Sequence, residues 1–485
     1  MQRKRSARRS ALGSGLATGL STVAVSGSAA AAGVILARKF DHGVKTDGFF
    51  AAYNAYVAIV LLTGVLRVVV LPRFVRARDD GRLPGEVGAW MAGITLPLAP
   101  LVLLALIIPD EVAGLLTVNG SGRSQAAVLL PWIVPSAAAQ VYGGVVASAL
   151  AARDGYGVAA FGFGAGSVAG IVLTVVLISH GVVAFGWGIA LNGALSLLIP
   201  LAVLVRRRGV RWPDQRLGHR LVELAEGVAL PVALQILFVI GNRFASGIGV
   251  GEETTFSYAY LIAAFLVAVT ASSIALVTTV PVARAGDSPE RTVRHVVSVS
   301  WLSLAVVAAA VGIFALAGET VVRSVLGSAY KGGTGAELGR LVVYLAPWTV
   351  ASVAFSIAFP LVFVRGRASW LPLLAIAAIG VQVLVEWAGR RLFGLAGLAA
   401  GLAVTTWLVL GIVLGALRAL RGTVRGVLAA ALVCGGVALV AFGLPRTVLG
   451  PIPAAAVGLA LYAALLLGWR PAGLRASWTY IRTLY

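Results

Sequence analysis

The chain has 485 residues, 59% hydrophobic and 12% charged, with a formal net charge of +21 and a mean hydropathy of +0.95. Soluble domains are roughly half apolar and about a quarter charged, so a soluble core under a polar surface is excluded and a polytopic membrane protein is expected. The single cysteine, Cys434, excludes a disulfide framework and a multi-thiolate zinc site.

Crossing ~30 Å of hydrocarbon takes about 20 apolar residues. The first such stretch, 11–37, follows the basic opening RKRSARRS. Its length exceeds the roughly 7–15 apolar residues of a signal peptide, so it reads as a retained span. Five more follow at 49–71, 87–108, 126–151, 157–179 and 185–205. A second group occupies 224–247, 255–281, 297–317, 341–364, 369–389 and 393–417, and a last pair 424–443 and 450–469. The expectation is an all-α protein of about fourteen transmembrane helices. Its division is 1–222 for spans 1–6, 223–420 for spans 7–12, and 421–485 for spans 13–14 with a tail.

An even number of spans places both termini on one side. That side then holds 27 of the 39 basic residues, against 10 on the other, with Arg67 and Arg243 inside spans. Basic residues are retained in the cytoplasm, so both termini are expected there, in the cytoplasmic membrane. The same distribution assigns the positive charge to anionic membrane lipids rather than to nucleic acid. No HExxH, GxSxG or phosphate loop appears in a credible context. The four histidines, His42, His180, His219 and His295, stand apart in polar segments. Bond-making chemistry, a metal and a cofactor are therefore not expected, and the protein is not read as an enzyme.

Two phrases recur in order. PWIVPSAAA at 131–139 returns as PWTVASVAF at 347–355, an offset of 216. Thr46, Phe49 and Pro72 around span 2 match Thr255, Tyr258 and Pro281 around span 8 at offset 209, and Phe185 matches Phe393 at 208. Spans 1–6 and 7–12 thus read as parallel six-helix repeats, with a substrate path expected between them. Spans 13 and 14 stand outside the duplication.

The stretch LARKFDHGVKTDGFFAAYNAY at the span 1–2 junction resembles MurJ-type (MviN) lipid II flippases, in the superfamily of multidrug exporters and polysaccharide flippases. VVASALAARDGYGVAAF, FGWGIALNGALSLLIPLAVLVRRRG, LPVALQILFVIGNRFASGIGVGEETTFSYAYLIAAF and FGLAGLAAGLAV follow in register, so the resemblance covers essentially the whole chain. It implies a V-shaped, two-lobed fold that opens alternately to each side. The implied substrate is a polyprenyl-pyrophosphate-linked saccharide. Asp47 matches the family's functionally important acid at the start of span 2, and Gln235 and Ser246 match its polar positions in span 7. The family's cavity arginines are absent: Ser26, Ala32 and Val60 stand at those positions in spans 1 and 2, and Leu261 in span 8. That departure points away from lipid II itself and leaves the fold expectation intact.

Polar residues inside spans are costly and are functional candidates by default. Gln235 and Asn242 lie seven apart, on one helix face, beside Arg243, which either snorkels to the interface or faces the path. Arg38 and Asp47 flank the first outer loop, where a salt bridge is the plain reading. Asn54, Gln140 and Asn192 serve as helix–helix glue or as ligands. Glu386, four residues before Arg390, reads as half of an i,i+4 pair. The candidate substrate-binding and gating set is Arg38, Asp47, Asn54, Gln235, Asn242, Arg243 and Ser246. The expected function is translocation of a lipid-linked saccharide, with envelope-synthesis enzymes as possible partners. The alternatives are an ion-coupled exporter of small molecules and a non-transporting scaffold for envelope synthesis.

Overall fold

The computed structural model describes residue 21 and residues 24–40, 42–153, 155–206, 217–272, 288–364 and 369–484. The start of the expected first span and Arg207–Arg208 lie outside these residues, as do the side chains of Arg67 and His219. The described residues contain no strand. Helix α1 covers residues 24–40, followed by α2 Val44–Asp79, α3 Leu83–Ile107, the short α4 Pro109–Leu116, and α5 Gly120–Ala152. Then come α6 Tyr156–Val176, α7 Val183–Arg206, α8 Leu217–Ala245 and α9 Glu252–Val267. The remainder is α10 Pro289–Leu326, α11 Gly333–Tyr344, α12 Ala346–Val364, α13 Leu371–Ala416, α14 Leu420–Arg446, α15 Pro451–Trp469 and α16 Ala472–Leu484.

Eleven of the described helices are long and apolar enough to cross a membrane, and α11 with α12, bent by 44° at their junction, makes twelve. A further expected span is folded into α13. Helix α13 has 46 residues, about 69 Å at the α-helical rise, more than twice the hydrocarbon thickness. It breaks at Gly394 (φ 59°, ψ −133°). Beyond the break its two arms touch backbone to backbone, so closely that a Cβ on Gly397 would meet the Gly389 carbonyl oxygen at 1.9 Å. The arms are spans 11 and 12. Helix α1 covers the end of the expected first span, whose start lies outside the described residues. The chain is an all-α, multi-pass membrane protein.

Packing divides it into two compact units, one of residues 1–251 with 371–375, the other of 252–370 with 376–485. Helix α8, which the repeat assigns to the second half, packs in the first unit against α2 and α3. In that unit α2, α3 and α5 bury a continuous core that includes Leu66, Phe74, Trp90, Val141 and Val145. Helices α6 and α7 approach on small residues: Cβ atoms on Gly166 and Gly170 would lie 2.8 and 2.6 Å from the carbonyl oxygens of Asn192 and Gly188. Membrane helices associate through such close contact because lipid offers no hydrophobic gain for pairing. In the second unit α10, α14 and α15 close around Phe442, Tyr462 and Leu466.

The recurrent landmarks meet unlike surroundings. Thr46, Phe49, Thr255 and Tyr258 are all buried, but Phe185 is buried whereas Phe393 is exposed. Trp132 faces outward at 44% exposure, whereas Trp348 is buried against Tyr260 with ring centroids 4.9 Å apart.

Candidate functional site

Most of the candidate residues meet at one end of the first unit, where the start of α2, the α4–α5 connection and the end of α8 converge. Helix α2 begins with the amides of Thr46 and Asp47 donating to the Gly43 carbonyl. This puts the Asp47 carboxylate in the first turn, where the helix dipole favours negative charge. Asp47 is 1% exposed. Its Oδ2 accepts the backbone N–H of Gly251 at 2.7 Å, from 204 residues along the chain. Gly251 has φ +87°, and the His42 ring fills the place of its missing side chain, lying 2.0–2.8 Å from an added Cβ. The turn after α8 is therefore held by a buried carboxylate on one side and an imidazole on the other. Gly48, next to Asp47, lets α2 seat on α5, because a Cβ there would meet Gly122 O and Gln125 Cβ at 2.6 and 2.5 Å.

The end of α8 is fastened by two further residues. Arg243 Nε donates to the Leu115 carbonyl at 3.1 Å. Ser246 Oγ accepts the Val118 amide at 3.0 Å and donates to Arg243 O at 2.8 Å. The two close the α4–α5 connection onto α8. Asn242 is buried within the same turn of helix. Arg38 is exposed near the end of α1. The structure thus gathers Asp47, Asn242, Arg243 and Ser246 around one turn.

Asn54 and Gln235 lie deeper. Each is seven residues from the gathered end of its helix, roughly 10 Å along the axis, and the two packed helices run in opposite directions. Both are buried, and among the described residues Asn54 Nδ2 has no hydrogen-bond partner. Beside Asn54, α2 presents a ladder of rings. Phe49 stacks on Tyr53 at 5.3 Å, Tyr53 stacks on Tyr56 at 5.5 Å, and Gln140 Nε2 donates to the Tyr56 hydroxyl at 2.6 Å. Positions 49, 53 and 56 share a helix face, so the ladder was present in the sequence as a period without an evident partner.

The positions where arginines were expected stay uncharged: Ser26 is exposed, and Ala32, Val60 and Leu261 are half-buried. The second unit holds a carboxylate of its own. Glu386 and Gln382, on the first arm of α13, are fully buried, and Gln382 Nε2 donates to Glu386 Oε1. Glu386 therefore turns inward along its helix rather than pairing with Arg390. Its Oε2 has no partner among the described residues, and Gly401 of the second arm leaves room beside it. No group of three or more His, Cys, Asp or Glu among the described residues is placed to hold a metal ion.

Comparison with solved structures gives the architecture. A lipid II flippase MurJ in an inward closed conformation superposes with a TM-score of 0.73 at 14% identity, covering 95% of this chain and 99% of the other. The chain has the MurJ–MATE fold. An inward-facing multidrug resistance MATE family transporter of the MOP superfamily matches at 0.62, 16% identity and 85% and 94% coverage. A MOP superfamily transporter from Pyrococcus furiosus, described as having a binding pocket of reversed polarity, matches at 0.52, 15% identity and 88% and 93% coverage. No family model and no curated protein matches the sequence. Among the described spans, Asp47, Glu86, Glu253 and Glu386 are buried carboxylates.

Proposed function

We propose that the protein is a flippase of the cytoplasmic membrane that carries the polar headgroup of a lipid-linked saccharide between leaflets by alternating exposure of a polar path. The observation that carries this reading is the match to a lipid II flippase over 95% of the chain. Moving a sugar or phosphate headgroup through hydrocarbon costs several kcal/mol for each unpaired polar group, and a protein-lined path removes that cost while the tail stays in lipid. Asn54, Gln235, Gln140 and the Tyr53–Tyr56 ladder supply hydrogen-bonding and stacking groups in the first unit. The Asp47–Gly251 contact acts as a latch at the outer end of that path. Gly251 directly precedes Glu252, the first residue of the second unit, so a change in the latch is felt where the chain passes between units. The two repeats, 1–222 and 223–420, and cytoplasmic termini belong to the same proposal.

With uncharged residues at 26, 32, 60 and 261, the path lacks the guanidinium pairs that grip pyrophosphate best. The headgroup that fits is a saccharide-rich one carrying little charge at the contact points. The deciding experiment reconstitutes the protein in liposomes and compares flipping of labelled polyprenyl-pyrophosphate, polyprenyl-monophosphate and uncharged glycolipid saccharides. Transport of a lipid-linked saccharide supports the reading, and transport of none of them refutes it. Ion-coupled export of small molecules is the second reading, supported by Glu386, since a buried intramembrane carboxylate is the usual element of such coupling. Export of a soluble cation with no lipid flipping would select it.

A further inference from the structure

The tail helix α16 is absorbed by none of this. It is amphipathic in a specific way. Gly473, Ser477 and Tyr480, spaced four and three apart, share the face packed on α10. A Cβ on Gly473 would lie 2.2 Å from the Trp301 ring, Ser477 is 1% exposed, and the Tyr480 hydroxyl lies 3.4 Å from His295 Nδ1. The opposite face presents Arg475, Trp478, Thr479 and Arg482, all exposed. The Arg482 guanidinium sits 5.0 Å over the Trp478 ring. Trp478 is 54% exposed, and Trp469, just before the helix, is 61% exposed.

The neighbouring helix ends are equally basic. Gly422 and Gly426 of α14 pack on Val293 and Val297 of α10, so the first turns of these two helices lie side by side, next to α16. They carry Arg291 and Arg294 on α10 and Arg421 and Arg425 on α14, with Arg418 just before α14, all exposed. Arg294 is near enough to the Tyr480 phenol to act on it electrostatically. Arg470 and Arg475 donate to carbonyls at the end of α15 and stay exposed. Among the described residues none of these eight guanidiniums forms a salt bridge, and the neighbouring Glu290 accepts from Ser288. Arg291 and Arg421 lie in the first turns of their helices, where positive charge opposes the helix dipole.

We propose that α16 and the adjoining starts of α10 and α14 form a binding surface for the anionic phospholipid headgroups of the leaflet they face. An exposed Trp between arginines is the composition of a helix lying at headgroup level. The partner that complements eight unpaired guanidiniums at a membrane surface is a layer of phosphates carrying net negative charge. The proposal needs only the membrane-spanning fold and is independent of the transported substrate.

The test uses the full-length protein in mixed phosphatidylcholine–phosphatidylglycerol liposomes. Brominated phosphatidylglycerol or brominated phosphatidylcholine quenches tryptophan, and the difference between wild type and Trp478→Phe isolates the signal of Trp478. The expected result is preferential quenching by phosphatidylglycerol. That preference falls roughly fivefold for each of Arg475→Gln and Arg482→Gln. In wild type alone it declines as salt shortens the screening length from ~10 Å at 0.1 M to ~3 Å at 1 M. Equal quenching by the two lipids, or a preference insensitive to salt, overturns the proposal. Quenching of Trp478 by neither lipid overturns it as well, since this face would then meet water or a protein.

Discussion

Replacing Asp47 with Asn tests the latch with the least change of shape. The carboxylate is 1% exposed and accepts the Gly251 amide at 2.7 Å. Hydrogen bonds to charged groups contribute about 1.5–3 kcal/mol and neutral ones about 1. A carboxylate in the first turn of a helix adds about 0.3–1 kcal/mol more. The amide keeps an acceptor in place, so the net loss is about 1–3 kcal/mol. At about 1.4 kcal/mol per factor of ten, the turn carrying Gly251 opens roughly 5–140 times more often. Hydrogen exchange on the reconstituted protein reads this directly in the peptide covering residues 246–260, with the amides of α6 and α7 as an internal reference. Headgroup flipping should fall in parallel, with membrane abundance unchanged. Exchange in Asp47→Asn within twofold of wild type would refute the latch, and loss of protein rather than activity would make Asp47 a structural residue alone.

Gly251→Ala combines a left-handed backbone cost of about 1–2 kcal/mol with overlap on the His42 ring. Thermal unfolding of His42→Ala/Gly251→Ala should recover the overlap part and retain the backbone part, and an unrescued double variant would count against the contact. Arg243→Gln removes at least the bond to Leu115, about 1 kcal/mol, and should lower flipping severalfold, whereas Arg243→Lys keeps part of it; equal flipping in wild type and Arg243→Gln would remove it from the site. Glu386→Gln should preserve the fold and abolish dependence of transport on a proton or sodium gradient, and an unchanged gradient dependence would exclude Glu386 from coupling. Reporter fusions after Arg208 and Arg425 should report cytoplasm and one within 318–338 the outside, and reversal of the last would remove the proposed topology.

The spans were legible because the bilayer imposes a local rule. About 20 apolar residues must occur in one run to keep backbone groups paired within a segment. Even the two arms of α13 can be counted, since Arg390 and Arg391 interrupt the apolar run near the Gly394 break. Helix α16 was not anticipated, because a helix that lies along the surface of a unit has no such run and its partner, Trp301, is remote in sequence. Span 7 shows the same limit. Its composition fits the second repeat, but its packing partners are α2 and α3, and these are set by contacts that no local pattern encodes.

The site divides along the same line. Asp47, Gln235 and Ser246 are named by the resemblance to MurJ-type flippases, and Gln235 also as a polar group within an apolar run, but neither route names their partners. The sequence offers Asp47 a neighbour in Arg38, nine residues away, but gives no sign of the Gly251 amide that its Oδ2 accepts from 204 residues away. Backbone amides also leave no mark in composition. His42 stands in the sequence as one of four histidines apart in polar segments, yet its ring is half-buried against a glycine that only a positive φ makes conspicuous. Glu386 was read with Arg390, four residues on, because that is the partner a helical wheel offers. The same wheel offers Gln382 four residues back, and burial decides between them. An Arg390 pairing would bring a second charge out of water, whereas Gln382 stabilises one oxygen without adding charge. The outcome is a buried acid whose other oxygen has no hydrogen-bond partner among the described residues. A carboxylate buried within a span is a candidate for ion coupling by default, and the gradient dependence of transport in Glu386→Gln is the measurement that tests it.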